Sequence, residues 1–362
     1  MNITAEHRQV LIKIAKKLSK SSMSIPTDEN GEPTDTYIEY LSLLYNPRDA
    51  EIVQELEVFP KNISLTKLSK FLGRNKQELM DLLDPLSKEG SIFKMGKTYA
   101  IPVPLEIFDM PFMIKSVYEG KNAKKLAELS RKFFEDEGYY KIWETTENGI
   151  PRTRILTVSE KIEPGHEILP LDEVYNIIEQ NTSFALVPCP CRNRFEIEGN
   201  RKCKNRYPIH NCVLLGAFAE KVISMGDPVA RRASKVEVTR LTQDSAKRGL
   251  IHTTDNFIRS NIICSCCECC CVMLAGLTRP GLENPRAIAR ANYIARVNKR
   301  ACTACEMCLS RCKFNAILIE KTSVIDESKC MGCGLCAVTC PNNAIKMYRL
   351  EREEMPEEQI YI

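Results

Sequence analysis

Eight cysteines near the C-terminus repeat one spacing twice. Each run reads C-x2-C-x2-C-x3-C, and the second run begins 28 positions after the first. This spacing is typical of chains that hold two cubane iron–sulfur clusters, where the fourth cysteine of each run ligates the other run's cluster. One 4Fe–4S cluster is therefore expected on Cys302, Cys305, Cys308 and Cys340. The other is expected on Cys330, Cys333, Cys336 and Cys312.

The alternative for these runs is a pair of zinc knuckles, which also use C-x2-C pairs. Zinc needs four ligands per site and gains nothing from a crossed spacing, so clusters are favoured. The two runs differ at one place, because Lys313 follows Cys312 where Pro341 follows Cys340. A cation beside a sulfur ligand stabilises the reduced state, so Lys313 is predicted to raise the potential of the Cys312 cluster.

Ten further cysteines form two groups upstream. The first has the spacing C-x-C-x11-C-x8-C and the second C-x-C-C-x-C-C-C. Their members are Cys189, Cys191, Cys203 and Cys212, and then Cys264, Cys266, Cys267, Cys269, Cys270 and Cys271. We expect additional iron–sulfur centres here: one or two cubanes, or one larger cluster. Zinc and partly free redox thiols are the alternatives.

The ligand assignment within these ten is less sharply determined by the sequence. The first four alone would complete one cubane or one zinc site, with His210 able to replace Cys212 as a zinc ligand. Adjacent cysteines cannot all face one ion, so the run Cys269–Cys271 is expected to include one or two packing residues.

Two other residues are candidates for the cofactor environment. Arg192 follows the C-x-C pair directly and is predicted to donate hydrogen bonds to a sulfide or to bind an anionic substrate; a salt bridge is the alternative. His252 is expected to be a structural histidine with its hydrogen bonds satisfied.

The composition indicates an ordinary globular protein of two or three domains. The 362 residues carry a formal charge of +4 and contain no apolar run of the roughly 20 residues that a membrane span needs. No cysteine precedes Cys189, and the C-x-C and C-C-C bunching is a poor geometry for separate disulfides. Metal ligation in a reducing, anaerobic cytoplasm is therefore the expectation.

The segment 46–104 has the order helix, helix, helix, then two short strands. Ser64 and Asn75 are predicted to cap helices that run to Leu72 and to Lys88, and two strands are expected to turn at Met95–Lys97. This order resembles a winged helix–turn–helix domain. Acidic and basic residues nearly balance over Met1–Lys115, whereas a DNA-binding domain usually presents a basic face. A docking or scaffold module is favoured, and nucleic acid is not an expected partner.

The remaining elements complete an α+β fold class. Strands are expected at Arg154–Val158, Ser183–Val187 and Leu250–His252, with helices at Lys121–Glu137 and Ser234–Arg248. A basic helix is expected at Ala287–Lys299. The predicted domains are a helical segment (1–45), a winged-helix-like domain (46–104), an α/β cysteine-rich domain (105–285), a two-cluster ferredoxin domain (286–350) and an acidic tail (351–362).

Two resemblances support this organisation. The segment Asn292–Arg349 resembles a bacterial-type two-cluster ferredoxin domain. The C-x-C-R motif at Cys189 and the C-C-x-C-C run at Cys266, ahead of such a domain, resemble a little-characterised family of iron–sulfur proteins from anaerobes. That likeness extends over Arg154–Arg349 and implies additional iron–sulfur centres without assigning a reaction.

Three functions are compatible with these patterns. The favoured one is an electron-transfer protein or subunit that delivers low-potential electrons to a partner oxidoreductase, because no nucleotide-binding or hydrolytic motif is present. The second is a reductase whose catalytic centre is the inner cluster, and the third is a redox-sensing regulator. Basic residues ahead of Cys302 are predicted to form a docking face: Arg286, Arg290, Arg296, Lys299 and Arg300. The sequence leaves open whether a homo-oligomer forms.

Overall fold

The structure is a computed structural model that describes residues 3–21, 23–114, 117, 119–143, 145–146, 148–158, 173–284 and 287–350. The predicted acidic tail and Arg286 lie outside the described residues. In the described part of the chain, no helix combines the length and the apolar character that crossing a bilayer requires.

Three helices form the N-terminal part. They are α1 (Ala5–Leu18), α2 (Asp35–Leu44) and α3 (Pro47–Val53). Each begins after a residue whose side chain accepts a hydrogen bond from the first-turn backbone: Thr4, Thr34 and Asn46. These caps satisfy N–H groups that a helix start leaves without intrahelical partners.

The next elements match the predicted helices and strands closely. They are β1 (Ile63–Ser64), α4 (Leu65–Leu72), α5 (Lys76–Lys88), β2 (Phe93–Met95) and β3 (Thr98–Ala100). The Ser64 and Asn75 side chains cap α4 and α5 as predicted. The three strands form one antiparallel sheet in the order β1-β3-β2.

A dense aromatic region follows. It contains α6 (Pro104–Asp109), a 3-10 turn at Met110–Phe112, α7 (Ala123–Arg131), a π-helical turn at Lys132–Asp136 and a 3-10 turn at Tyr139–Lys141. The single helix predicted for 121–137 is therefore an α-helix ending in a π turn. Phe133 and Phe134 of that turn pack against the aromatic rings of Tyr40, Phe108 and Trp143.

The centre of the molecule is a six-stranded antiparallel sheet in the order β4-β8-β9-β6-β5-β7. The strands are Thr153–Ile155, Phe184–Pro188, His210–Leu215, Arg231–Arg232, Ile251–Asp255 and Ile262–Cys266, numbered β4 to β9 along the chain. The prediction of an α/β central domain is wrong, because the described strands pair antiparallel throughout. The α+β class describes the whole chain.

Helices cover both faces of this sheet. They are α8 (Val174–Gln180), α9 (Pro190–Glu198), α10 (Gly216–Ser224), α11 (Lys235–Arg248) and the short α12 (Ala275–Thr278). Phe184 and Leu186 of β5 pack with α8 and α11, whereas Ala185 and Val187 pack with α10. The strands β5 and β6 are therefore buried on both faces.

The C-terminal segment contains β10 (Tyr293–Val297), α13 (Met307–Arg311), β11 (Ile317–Ile319), β12 (Ser323–Ile325), α14 (Leu335–Thr339) and β13 (Ile345–Arg349). The basic helix predicted for Ala287–Lys299 is wrong, since this stretch contains β10. Its apolar residues have helical spacing, but β10 pairs along its whole length with β13. Tertiary pairing overrides the local preference.

The sequence repeat is also a structural repeat. Helix α14 follows α13 by 28 positions at both ends. Left-handed backbone recurs at equivalent places, at Glu306 and Gly334 before the helices, and at Asn315 and Asn343 after them. The two halves therefore share one backbone path around their cysteines.

One hydrophobic core extends across several of the predicted domains. It includes Ile14 of α1, Leu83 of α5, Phe133, Cys266 of β9 and Leu335 of α14. The division into domains stays a prediction, while the N-terminal elements share apolar packing with the cysteine-rich centre.

Gly332 packs closely against β10 within the C-terminal segment. Its φ is +73°, and a Cβ there would overlap the carbonyl oxygen of Tyr293. Gly332→Ala is expected to lower the free energy of unfolding by about 3 kcal/mol, since left-handed backbone and overlap both add cost. Denaturant unfolding under anaerobic conditions measures this.

The matched control is Gly96→Ala, where φ is +61° and nothing lies within 4 Å. Only the backbone cost applies there, so a loss of about 1 kcal/mol is expected. Equal losses in the two variants would contradict the close approach at Gly332.

Candidate metal centres

The first C-terminal cavity is lined by four cysteines from both runs: Cys302, Cys305, Cys308 and Cys340. Backbone N–H groups of Ser323 and Ala344 donate to the sulfurs of Cys302 and Cys340 at 3.4 and 3.2 Å. The hydrogen bond from Ser323 is the main reason that the pKa of Cys302 is lowered. Four thiols with N–H donors match what an iron–sulfur cluster requires.

The second C-terminal cavity has the complementary set. Its lining includes Cys312, Cys330, Cys333 and Cys336, with apolar neighbours such as Phe314 and Met347. The Ala316 N–H donates to Cys312 at 3.4 Å, equivalent to the Ala344 contact in the other half. Each cavity therefore gathers three cysteines of one run and the fourth of the other.

The two cavities differ in their surroundings. Cys305 of the first is exposed, and Met307 and Leu309 beside it are exposed apolar residues. At the second, the carbonyl of Cys333 accepts from Val158 N at 3.3 Å and that of Gly332 from Thr157 Oγ1 at 2.8 Å. The first cavity is an outer site, and the second faces the body of the protein.

Strand register delivers four upstream cysteines to one sheet face. Side chains alternate along a strand, so Cys212 shares a face with Leu214, and Cys264 and Cys266 share one with Ile262. Leu214 pairs with Ile262 across β6 and β9, which brings Cys212 opposite Cys264. Cys189 lies directly after β5, which pairs with the other side of β6.

These residues and two others form a ring of six thiols. Short-range interactions between neighbouring thiols, which shift their pKa values, link Cys189 to Cys191, Cys191 to Cys271, Cys271 to Cys266, Cys266 to Cys264, and Cys264 to Cys212. Cys212 interacts electrostatically with Cys189 and closes the ring. We call this set the six-thiol ring: Cys189, Cys191, Cys212, Cys264, Cys266 and Cys271.

The six-thiol ring is buried in a way that favours neutral thiols. Interactions with neighbouring thiols, followed by burial, raise the pKa of Cys189, Cys264 and Cys266 well above that of a free thiol. A positively charged iron–sulfur core would supply the charge that converts such thiols to thiolate ligands. The donor set therefore fits a cluster.

An apolar cavity of about 100 Å³ adjoins the six-thiol ring. Five ring cysteines line it, along with Met113, Trp143, Phe218 and Met273. Three carboxyl groups also line it: Glu106, Asp109 and Asp255. Burial raises the pKa of Glu106 to about 8 and raises the pKa of Asp109 and Asp255 as well. The cavity thus combines apolar walls with protonatable groups.

The remaining four upstream cysteines form a separate, tighter cluster, the four-thiol group: Cys203, Cys267, Cys269 and Cys270. Their sulfur atoms all lie within 4.8 Å of one another. Cys203 comes from the turn after α9, and the other three from the turn after β9. This group is suited to holding a metal.

Arg192 lies between the two sets and is 1% exposed. It donates to the Ser265 carbonyl at 2.9 Å and to the Asn211 side chain. Although burial opposes its charge, the pKa of Arg192 is raised by Cys189, Cys267 and Cys266. The predicted cofactor role of Arg192 stays a prediction; its cation faces sulfur from both sets.

Lys313 makes a contact that the sequence did not reveal. Its ammonium group pairs with Glu268 at 3.1 Å, and Glu268 lies between Cys267 and Cys269. Arg206 pairs with the same carboxylate at 3.3 Å. Lys313 therefore joins the C-terminal segment to the four-thiol group, and its predicted effect on cluster potential stays a prediction.

The two candidate histidines lie outside both sets. His210 starts β6 at an exposed position, and its pKa is lowered by burial and by Arg231. His252 is buried, with Thr242 O at 3.0 Å from Nε2 and Ser265 Oγ at 3.3 Å from Nδ1. Both ring nitrogens of His252 have structural partners.

Sequence grouping did not anticipate how the ten cysteines divide. Cys203 separates from Cys189, Cys191 and Cys212, and the second run divides between both sets. Alternation along β9 could have indicated that Cys264 and Cys266 share a face. Nothing in the spacing indicates the position of Cys271.

Residues 323–346 match the family model described as a 4Fe-4S binding domain. The match supports a 4Fe–4S cluster in this part of the chain. The match includes the second run, Cys330 to Cys340. No curated protein and no solved structure matches the chain.

Proposed function

We propose that this chain is an iron–sulfur electron-transfer protein or subunit that passes low-potential electrons through several clusters to a partner oxidoreductase. The observation that carries the proposal is the paired cavities of the C-terminal segment, each lined by four cysteines in the crossed pattern. Bound 4Fe–4S clusters would supply one-electron chemistry there.

The surroundings of the two cavities support electron flow from the protein surface towards its centre. The outer cavity has the exposed Cys305, whereas Cys333 beside the inner cavity packs against the core that contains Cys191, Cys266 and Cys271. The six-thiol ring is proposed to hold an additional iron–sulfur centre. Clustered thiols also favour a reducing, cytoplasmic location.

The N-terminal elements support a docking or scaffold role for a winged-helix-like module. On α5, Asp84 pairs with Lys94 at 2.7 Å and accepts from Tyr99, and Glu78 pairs with Arg74 at 3.7 Å. The carboxylates of this helix therefore bind partners within the same N-terminal elements. The helix offers no basic face that could contact DNA phosphates. A nucleic-acid-binding regulator is therefore disfavoured.

Two basic residues remain as a docking surface beside the outer cavity. Arg290 donates to the carbonyls of Glu327 and Cys330, and Arg296 pairs with Glu327 at 3.7 Å. Both side chains therefore have structural partners within the C-terminal segment. Lys299 and Arg300 are exposed just ahead of Cys302. They are proposed to attract an acidic redox partner.

Metal analysis tests the cluster content. Iron and acid-labile sulfide should exceed about eight per chain, the amount in two 4Fe–4S clusters, because the six-thiol ring adds its own centre. Protein purified without oxygen is required. About eight of each would leave the ring without a cluster and contradict that part of the proposal.

Serine variants purified in the same way, without oxygen, test the crossed ligation. Cys340→Ser and Cys305→Ser should each alter the EPR signal of the same reduced cluster. Cys312→Ser and Cys336→Ser should each alter the other. If Cys340→Ser instead matched Cys336→Ser, ligation would follow the sequence runs, and the crossed assignment would be wrong.

Electron exchange with a small acidic ferredoxin tests the docking surface. The double variant Lys299→Gln, Arg300→Gln should slow exchange several-fold at low salt and flatten its salt dependence, because steering weakens with charge. Stopped-flow kinetics measure both. Lys61→Gln, Lys67→Gln removes equal charge from exposed N-terminal positions and should change neither; equal slowing would contradict a local docking site.

A second candidate function is reduction of a small substrate at the six-thiol ring. The apolar cavity favours it, because the cavity reaches five ring cysteines and carries Glu106, whose raised pKa leaves a proton available near neutrality.

Carbon monoxide tests whether that cavity admits a small ligand to the ring centre. It should change the absorption spectrum of reduced wild type, whereas Met113→Trp, which fills the cavity, should abolish the change. Phe71→Trp, at an exposed position of α4, is the control and should respond as wild type. No response in wild type would contradict the second candidate function and leave electron transfer as the proposed function.

A further inference from the structure

The four-thiol group has the dimensions of a site for one metal ion. The sulfur of Cys203 lies 3.7 Å from that of Cys270, and the sulfur of Cys269 lies 3.8 Å from Cys267 and 3.6 Å from Cys270. A tetrahedral ion with metal–sulfur bonds of about 2.3 Å separates its ligands by about 3.8 Å. The observed separations match that value.

A cubane cluster requires a more open arrangement. It attaches each thiolate to a different iron, so the four sulfurs enclose an eight-atom core. In the described part of the chain, the four-thiol group is the one set of three or more cysteine, histidine or acidic residues whose ligand atoms all lie within 4.8 Å. The two C-terminal sets, which suit cubanes, are more widely spaced, and so is the six-thiol ring.

The surroundings suit a closed, structural ion. Cys203, Cys267 and Cys270 are at most 3% exposed, which leaves little access for an exchangeable ligand. Four thiolates around a divalent ion carry two net negative charges, and the buried Arg192 guanidinium interacts electrostatically with Cys267. Lys313 and Arg206 hold Glu268 on the same turn. The positive charges compensate the site.

We propose that Cys203, Cys267, Cys269 and Cys270 bind a single tetrahedral metal ion of the zinc class, separate from the iron–sulfur clusters. The ion would fasten the turn after α9 to the turn after β9. The turn after β9 lies between Cys266 and Cys271 of the six-thiol ring, so the ion would order this turn beside the ring without transferring electrons. The inference does not depend on the electron-transfer proposal.

Two adjacent cysteines provide a matched test. Cys270 belongs to the four-thiol group and Cys271 to the six-thiol ring, and both are buried. Cys270→Ser should lose about one zinc per chain and keep iron and sulfide unchanged. Cys271→Ser should keep zinc and lose iron together with sulfide. Plasma mass spectrometry and sulfide analysis of the full-length protein measure these contents.

Each further outcome is decisive. Loss of about one iron without sulfide in Cys270→Ser would support the same tetrathiolate site with iron as its ion. Loss of several irons together with sulfide would overturn the proposal, because that pattern means a cluster. Loss of no metal at all would also overturn it.

Wild-type protein gives a measurement that does not depend on variant folding. X-ray absorption at the zinc edge should show four sulfur neighbours at about 2.3 Å. Absence of zinc, with every iron accompanied by sulfide, would overturn the proposal even if both variants failed to fold.

Discussion

The antiparallel pairing of β5, β6, β9 and β8 determines where the upstream cysteines meet. Because Leu214 pairs with Ile262, Cys212 and Cys264 fall on one face, and Cys266 follows on that face two positions later. A slip of one residue would turn these thiols to the opposite face, where Val213 and Ile263 pack. The apolar residues on both faces therefore determine the register, and the register brings the ring thiols together.

If the ten thiols in this region bind metal as thiolates, their negative charge needs compensation. Arg192 provides it between the six-thiol ring and the four-thiol group, with Asn211 and Ser265 holding the guanidinium in place. Lys313 extends the arrangement, because its ion pair with Glu268 fixes the cysteine-dense turn to the C-terminal segment. A partly buried ion pair of this kind fixes the relative position of two segments more than it adds to the free energy of unfolding.

The C-terminal segment shows how an internal repeat acquires two different environments. Its halves share backbone path, N–H donors to sulfur and left-handed residues, yet one cavity lies near solvent and the other lies against Val158 and Thr157. Exposure and hydrogen bonding to sulfur both affect cluster potentials. Equivalent ligand sets can therefore differ in potential because of their position in the fold.

The sequence determined the features that depend on local spacing. It predicted α4 and α5 with their caps, the β2–β3 hairpin and the repeat of the C-terminal runs, because capping and turn formation involve residues a few positions apart. It also identified the cysteines as candidate ligands. Only the tertiary structure decided how the upstream ten divide, why Ala287–Lys299 contains a strand, and what Lys313 contacts. Those outcomes depend on pairing between residues far apart in the chain, and spacing along one strand carries no information about the strand beside it.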